Sequence, residues 1–193
     1  AGLRMAVDPG VFVPRRRSEL LVPVGERVPA AVVVDLCCGT GELGAALAAL
    51  WPTSEVYAAD SDPAAVACAR RNLPPERVFE GDLYAALPDD LRGRVDLLVV
   101  NAPYVPSDAI PTMPREARDH EHRVALDGGG DGLDVQRRVV AGAPAWLAPH
   151  GRLLVETGRR QADRTSEFFR SAGFAVAVET DDEIAGTVVA GRS

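Results

Sequence analysis

Four residues that accept hydrogen bonds or carry charge stand where apolar runs stop. They are Asp35 in AVVVDL, Asp60 closing EVYAAD, Asp82 after RVFEG, and Asn101 after VDLLVV. In open α/β sheets, ligands sit just outside the carboxyl ends of buried strands. Asn101 heads the tetrapeptide Asn101-Ala102-Pro103-Tyr104. Pro103 has no N–H for a sheet ladder and pushes Ala102 toward extended backbone, so the strand must end there. An amide, a restrained backbone carbonyl and a flat ring are thereby held together. Asp35 leads into Gly39-Thr40-Gly41-Glu42-Leu43-Gly44, a G-x-G-x-x-G pattern. Glycines there let the backbone approach a ligand, and the N-terminus of the following helix favours an anionic group.

A dinucleotide is the first reading of this loop, with Asp60 on a ribose hydroxyl pair. Asp35 opposes it, because its charge at the strand end would repel a pyrophosphate. A ligand carrying an amine and a sulfonium would be attracted instead. Asp82 can accept from an exocyclic adenine amine, with Leu83 beside the ring. Three acids at three successive strand ends therefore suit S-adenosylmethionine better than a dinucleotide. Each acid taken alone has a plainer role open to it, as a helix or turn cap.

The elements that position these residues alternate. Buried strands are expected at 31–36 and 95–100, further strands at 55–60, 77–81 and 151–156, and helices at 45–51, 64–72, 133–147 and 159–172. Asp62-Pro63 supplies an N-cap before a proline at the first helical position. Two last strands, 174–179 and 187–190, are joined too closely for a helical crossover and should pair antiparallel. The sum is an α/β, doubly wound, seven-stranded and mostly parallel sheet with an antiparallel last strand. Residues 1–30 read as an irregular segment in which Val11 to Pro14 forms one strand of a small hairpin, and 31–193 as the main domain. The stretch 106–131 has little periodicity and a Gly128-Gly129-Gly130 run, as expected of a functional loop or lid.

The length of 193 residues suits one domain, and 47% apolar with 25% charged residues suits a soluble globular protein. No apolar run approaches the roughly 20 residues of a membrane span, and the first residues lack the form of a secretory signal. Cys37, Cys38 and Cys68 have neither metal-ligand spacing nor a framework of pairs, so a reduced, cytoplasmic protein is expected. The net charge of −7 opposes a mainly electrostatic grip on nucleic acid. His120 and His122 do not share a helix face and lack a third ligand, so no metal site is expected. The arginine run 15–17 reads as a solvated face.

Taken together, Asp35-Leu-Cys-Cys-Gly-Thr-Gly41, Asp60, Asp82 and Asn101-Ala-Pro-Tyr104 resemble the class I S-adenosylmethionine-dependent methyltransferases, whose sheet is Rossmann-like. Within them the chain is similar to the HemK/PrmC protein-(glutamine) methyltransferases, which modify the glutamine of the Gly-Gly-Gln loop in release factors. Pro14-Arg15-Arg16-Arg17-Ser18-Glu19 resembles that family's Pro-Arg-x-x-Thr/Ser-Glu. Glu121 to Leu133, and Leu154-Val-Glu156 followed by Gln161, resemble two further stretches of it. Ala102 replaces the first proline of the usual Asn-Pro-Pro-Tyr, and His122 stands where the family has proline. Family members also carry a helical docking domain upstream, of which this chain shows almost nothing before Val11.

The resemblance implies S-adenosylmethionine as cofactor and a protein partner carrying a target glutamine, such as a release factor. It implies cofactor contacts from Asp35, Cys37, Gly39, Thr40, Gly41, Asp60, Ser61, Asp82, Leu83 and Asn101. The catalytic set is Asn101, Ala102, Pro103 and Tyr104, and candidate acceptor contacts are Phe12, Arg15 and Glu121. The Asn101 side-chain oxygen and the Ala102 carbonyl would accept the two N–H bonds of the substrate amide. Methylation of a base amine in RNA or DNA is the alternative within enzymes, since a splayed base presents the same two N–H groups. A silent module that binds cofactor and partner is the alternative outside them, and an NAD-dependent oxidoreductase is more distant.

Overall fold

Runs of valine, leucine and alanine make seven strands in the computed structural model, which describes residues 2–193 apart from the side chains at 116 and 117. They are β1 (Val32–Leu36), β2 (Glu55–Asp60), β3 (Val78–Glu80), β4 (Val95–Val100), β5 (Leu147–Glu156), β6 (Ala175–Asp181) and β7 (Gly186–Arg192). The sheet order is β3-β2-β1-β4-β5-β7-β6. β7 runs antiparallel to both its neighbours and the other pairings are parallel. The expected fold class and the antiparallel closing pair are thus observed.

Side chains alternate across a strand, so each of the central strands serves two cores. Val33, Leu97, Val99 and Val56 face one side, against α1 (Leu21–Gly25), α2 (Glu42–Leu50) and α3 (Pro63–Ala69) through Leu21, Leu47 and Val66. Val34, Leu36, Leu98 and Val100 face the other, against α5 (Asp134–Gly142) and α6 (Ala162–Ser171) through Val139 and Phe169. Burying each such leucine contributes about 2 kcal/mol. β1 and β4 are fully apolar where both faces are covered, apart from Asp35 and Asp96.

Register places the site. Leu36 pairs with Ala59 on one side and Val100 on the other, and Val100 pairs with Val155. The residues next in sequence, Cys37, Asp60, Asn101 and Glu156, therefore emerge level at one edge of the sheet. The chain leaves β1 toward β2 and later returns to β4 on the other side, which makes that edge a topological switch point.

Two expectations are corrected. No N-terminal hairpin is present among the described residues. Arg16–Leu20 is instead a 3₁₀ turn running into α1, because Leu20, Leu21 and Val24 recur at helical spacing and bury on the sheet. Among the described residues of 2–30, Gly10 alone makes a strand-like bridge, to Glu121. The stretch 106–131 is not structureless either, since it carries α4 (Arg115–His120) and 3₁₀ turns at Ile110–Thr112 and Arg123–Ala125.

Candidate active site

The loop after β1 is built by left-handed backbone. Cys37, Gly39 and Gly41 have φ of 59°, 55° and 76°. A Cβ on Gly39 would meet only Phe12 Cβ, at 4.0 Å, so the loop is open to a ligand there. Gly41 serves a different purpose. A Cβ there would meet Leu73 Cδ1 at 2.9 Å, so this glycine lets the loop pack on the segment following α3. Gly41, expected to contact the cofactor, is buried and is not among the residues lining the cavity.

Asp60 Oδ2 accepts from the Gly39 N–H at 2.9 Å, and its Oδ1 accepts from the Asp62 N–H at 2.9 Å. Asp62 in turn caps α3 through the Ala64 N–H at 2.9 Å. Asp35 lies beneath the loop with no exposed surface, its Oδ2 accepting from the Gly44 N–H at 2.9 Å. Its Oδ1 has no partner among the described residues. Asp35 therefore has no surface on the cavity wall, in contrast to the direct contact expected of it. Burial pushes the Asp35 carboxyl up to about 8, with the Asp60 and Glu42 charges adding to the rise. Burial also raises Asp60, and raises Glu42 together with the Glu19 charge. Burial lifts the Cys37 and Cys38 thiols far above the ordinary range, so neither is a ready thiolate.

Asp82 follows β3 and is exposed, with Oδ2 2.5 Å from Arg138 Nη2. Leu83, at φ 49°, turns the chain into a 3₁₀ turn whose Tyr84 hydroxyl donates to the Val139 carbonyl at 2.7 Å. Past β4, Asn101 Nδ2 donates to Ser18 Oγ at 3.1 Å, which leaves its Oδ1 without a protein donor among the described residues. The Tyr104 hydroxyl donates to Glu156 Oε1 at 2.9 Å, and its carbonyl accepts from Gln161 Nε2 at 3.0 Å. The chain then crosses to the glycine run, where the Val105 N–H donates to the Leu126 carbonyl and the Gly128 N–H to the Val105 carbonyl.

These groups surround one cavity of about 940 Å³. Cys37, Gly39, Thr40, Asp60, Ser61, Asp82 and Leu83 are among its lining residues, as are Asn101, Ala102, Pro103 and Tyr104. Phe12 and Arg15 are also on the wall, whereas Glu121 is not. Glu121 is buried and braces the N-terminal segment, accepting from Arg15 Nη2 at 2.5 Å and the Val13 N–H at 3.2 Å. Sequence reading missed Ser18, Arg17 and Arg138 on the wall. Of these, Arg17 and Ser18 lay inside a motif already singled out. His122 Nδ1 lies 2.6 Å from Asp62 Oδ2, which ties the 120–122 turn to the α3 cap. Among the described residues no group of His, Cys, Asp and Glu is arranged to hold a metal, and no helix is long and apolar enough to cross a membrane.

A family model described as the methyltransferase small domain matches residues 2–119. The chain is 40% identical over 181 residues to a protein of Geobacter sulfurreducens named release factor glutamine methyltransferase, covering 90% of this chain and 62% of that one. It is 37% identical over 183 residues to a Burkholderia pseudomallei protein named ribosomal protein uL3 glutamine methyltransferase, covering 86% and 59%. Among solved structures it is similar to a release factor-specific protein-(glutamine-N5) methyltransferase from Alicyclobacillus acidocaldarius. That likeness has a TM-score of 0.57 at 25% identity, over 96% of this chain and 97% of the other. The chain spans less than two thirds of the length of these two curated relatives.

Proposed function

The chain belongs to the methyltransferase small domain family, and from that premise we propose that it transfers a methyl group from S-adenosylmethionine to the side-chain amide nitrogen of a protein glutamine. A release factor is the proposed acceptor. The observation that carries this reading is a cavity whose wall joins Gly39, Thr40, Asp60 and Asp82 to Asn101 and Tyr104.

The residues present fit the cofactor. Burial raises Asp35, Asp60 and Glu42, the charges of Asp60 and Glu42 raise Asp35 further, and Asp35 keeps an unpartnered buried oxygen. A cationic ligand relieves such a cluster, whereas a pyrophosphate would aggravate it. Gly39 and Thr40 would hold the amino-acid portion, Asp60 the ribose hydroxyls, and Asp82 with Leu83 the adenine. When bound, S-adenosylmethionine supplies an electrophilic methyl group on a sulfonium.

The chain's own residues then address a poor nucleophile, an amide nitrogen with a delocalised lone pair. Ser18 holds the Asn101 amide by its Nδ2, so Oδ1 is available to accept one substrate N–H. The Ala102 carbonyl accepts the other. Two acceptors on one nitrogen orient it and favour the positive charge it develops. Tyr104 forms a wall of the slot, and Pro103 stiffens the turn that presents all three. Because position 102 acts through its backbone, alanine serves there.

Asn101→Ala tests the assignment. Turnover should fall about 100-fold or more, while the Kd for S-adenosylmethionine by calorimetry stays within a few-fold. Turnover equal to that of the parent chain would remove Asn101 from the mechanism.

A further inference from the structure

We infer that Glu156 is a positioning residue of the acceptor slot, clamping the Tyr104 ring and, through Arg17, the N-terminal turn that closes the slot. The inference rests on the methyl-transfer reading above.

Glu156 ends β5, level with Asn101 across the β4–β5 pairing. Its backbone is fixed by the fully buried Gln136, whose Nε2 donates to the Glu156 carbonyl at 3.1 Å. Its side chain is 1% exposed. One carboxylate oxygen, Oε1, takes two donors: the Tyr104 hydroxyl at 2.9 Å and Arg17 Nε at 3.0 Å. The Arg17 guanidinium also lies over the Tyr104 ring, 5.5 Å from its centroid. Tyr104 is thus gripped at its hydroxyl and on one face by a single ion pair. The same turn, Arg16–Leu20, carries Ser18, which holds Asn101. Both side chains of the slot are therefore set by one 3₁₀ turn, and Glu156 anchors that turn to the sheet.

A purely structural ion pair is the competing account, and the geometry disfavours it. Buried ion pairs are weak contributors to stability unless every lone pair is satisfied. Here Oε2 has no partner among the described residues. Both donors instead converge on Oε1, and both Arg17 and Tyr104 line the cavity.

The test uses Glu156→Gln, Arg17→Gln and the double variant, with S-adenosylmethionine and a recombinant release factor. The chain has three tyrosines, so fluorotyrosine labelling gives three fluorine resonances, and Tyr104→Phe identifies the relevant one. Each single variant should lower kcat about 10- to 100-fold while the Kd for S-adenosylmethionine stays within about twofold. The double variant should be no worse than Glu156→Gln, and only the Tyr104 resonance should move. An unmoved Tyr104 resonance, or losses that multiply in the double variant, would overturn the clamp. So would a fall in kcat matched by an equal loss of cofactor affinity. A parent chain that methylates no acceptor would overturn the methyl-transfer reading instead, and the fluorine spectrum would still decide the hold on Tyr104.

Discussion

Asp35→Asn isolates the electrostatics of the glycine loop. The carboxyl is fully buried and raised from 3.8 to about 8, so the folded chain keeps a proton that the unfolded chain releases. A carboxyl raised in this way contributes fully below its unfolded value and loses that contribution as pH climbs toward its folded value. The slope is about 1.4 kcal/mol per pH unit. Between about pH 6 and about pH 8 the parent chain should therefore lose up to about 3 kcal/mol through this group. Asparagine keeps an acceptor for the Gly44 N–H and has no charge to bury. Urea unfolding of both proteins at the two pH values, with the difference taken at each, cancels every other titration. The variant should gain on the parent by up to about 3 kcal/mol as pH rises. A difference that does not change with pH would refute the burial argument. The same carboxyl should lose its proton when a cation docks above it. Calorimetry in buffers of unequal ionisation heat should then show more proton release on S-adenosylmethionine binding by the parent than by the variant.

Two further substitutions probe the loop and the adenine side. Gly41→Ala forces a side chain onto a φ of 76° and against Leu73. It should cost about 1–3 kcal/mol in urea unfolding, and an unchanged midpoint would show that the loop has another conformation. Asp82→Ala should raise the Kd for S-adenosylmethionine about tenfold or more by removing a charged acceptor. It should change stability by less than about 1 kcal/mol, because its partner Arg138 is also exposed. Equal affinity in parent and variant would take Asp82 out of the adenine contact.

The parts of the fold legible in the sequence were those with local causes. AVVVDL and VDLLVV can only be strands covered on both faces, and the short link before β7 can only give an antiparallel pair. Asp62-Pro63 marks the start of α3 by a cap whose hydrogen bond is observed at 2.9 Å. What stayed hidden depends on partners distant in sequence. Arg17 reads as a solvated charge because its partner, the buried Glu156, lies 139 positions away. Asp35 and Asp60 look alike as strand-end acids. Only the pairing with β2 and β4 shows that one is sealed beneath the loop and the other opens on the cavity. Gly41 satisfies a ligand-binding pattern while answering to Leu73, a contact the pattern does not encode. The expected hairpin failed because the apolar residues 20, 21 and 24 follow a helical period once Pro14 has ended any extended run.

The most direct test of the account is transfer of a labelled methyl group from S-adenosylmethionine to a panel of acceptors. The panel comprises release factors, variants lacking the loop glutamine, ribosomal protein uL3, RNA and DNA. The account predicts label on a release factor and its loss when the loop glutamine is replaced. Label on RNA or DNA alone would contradict it and assign the slot to base amines.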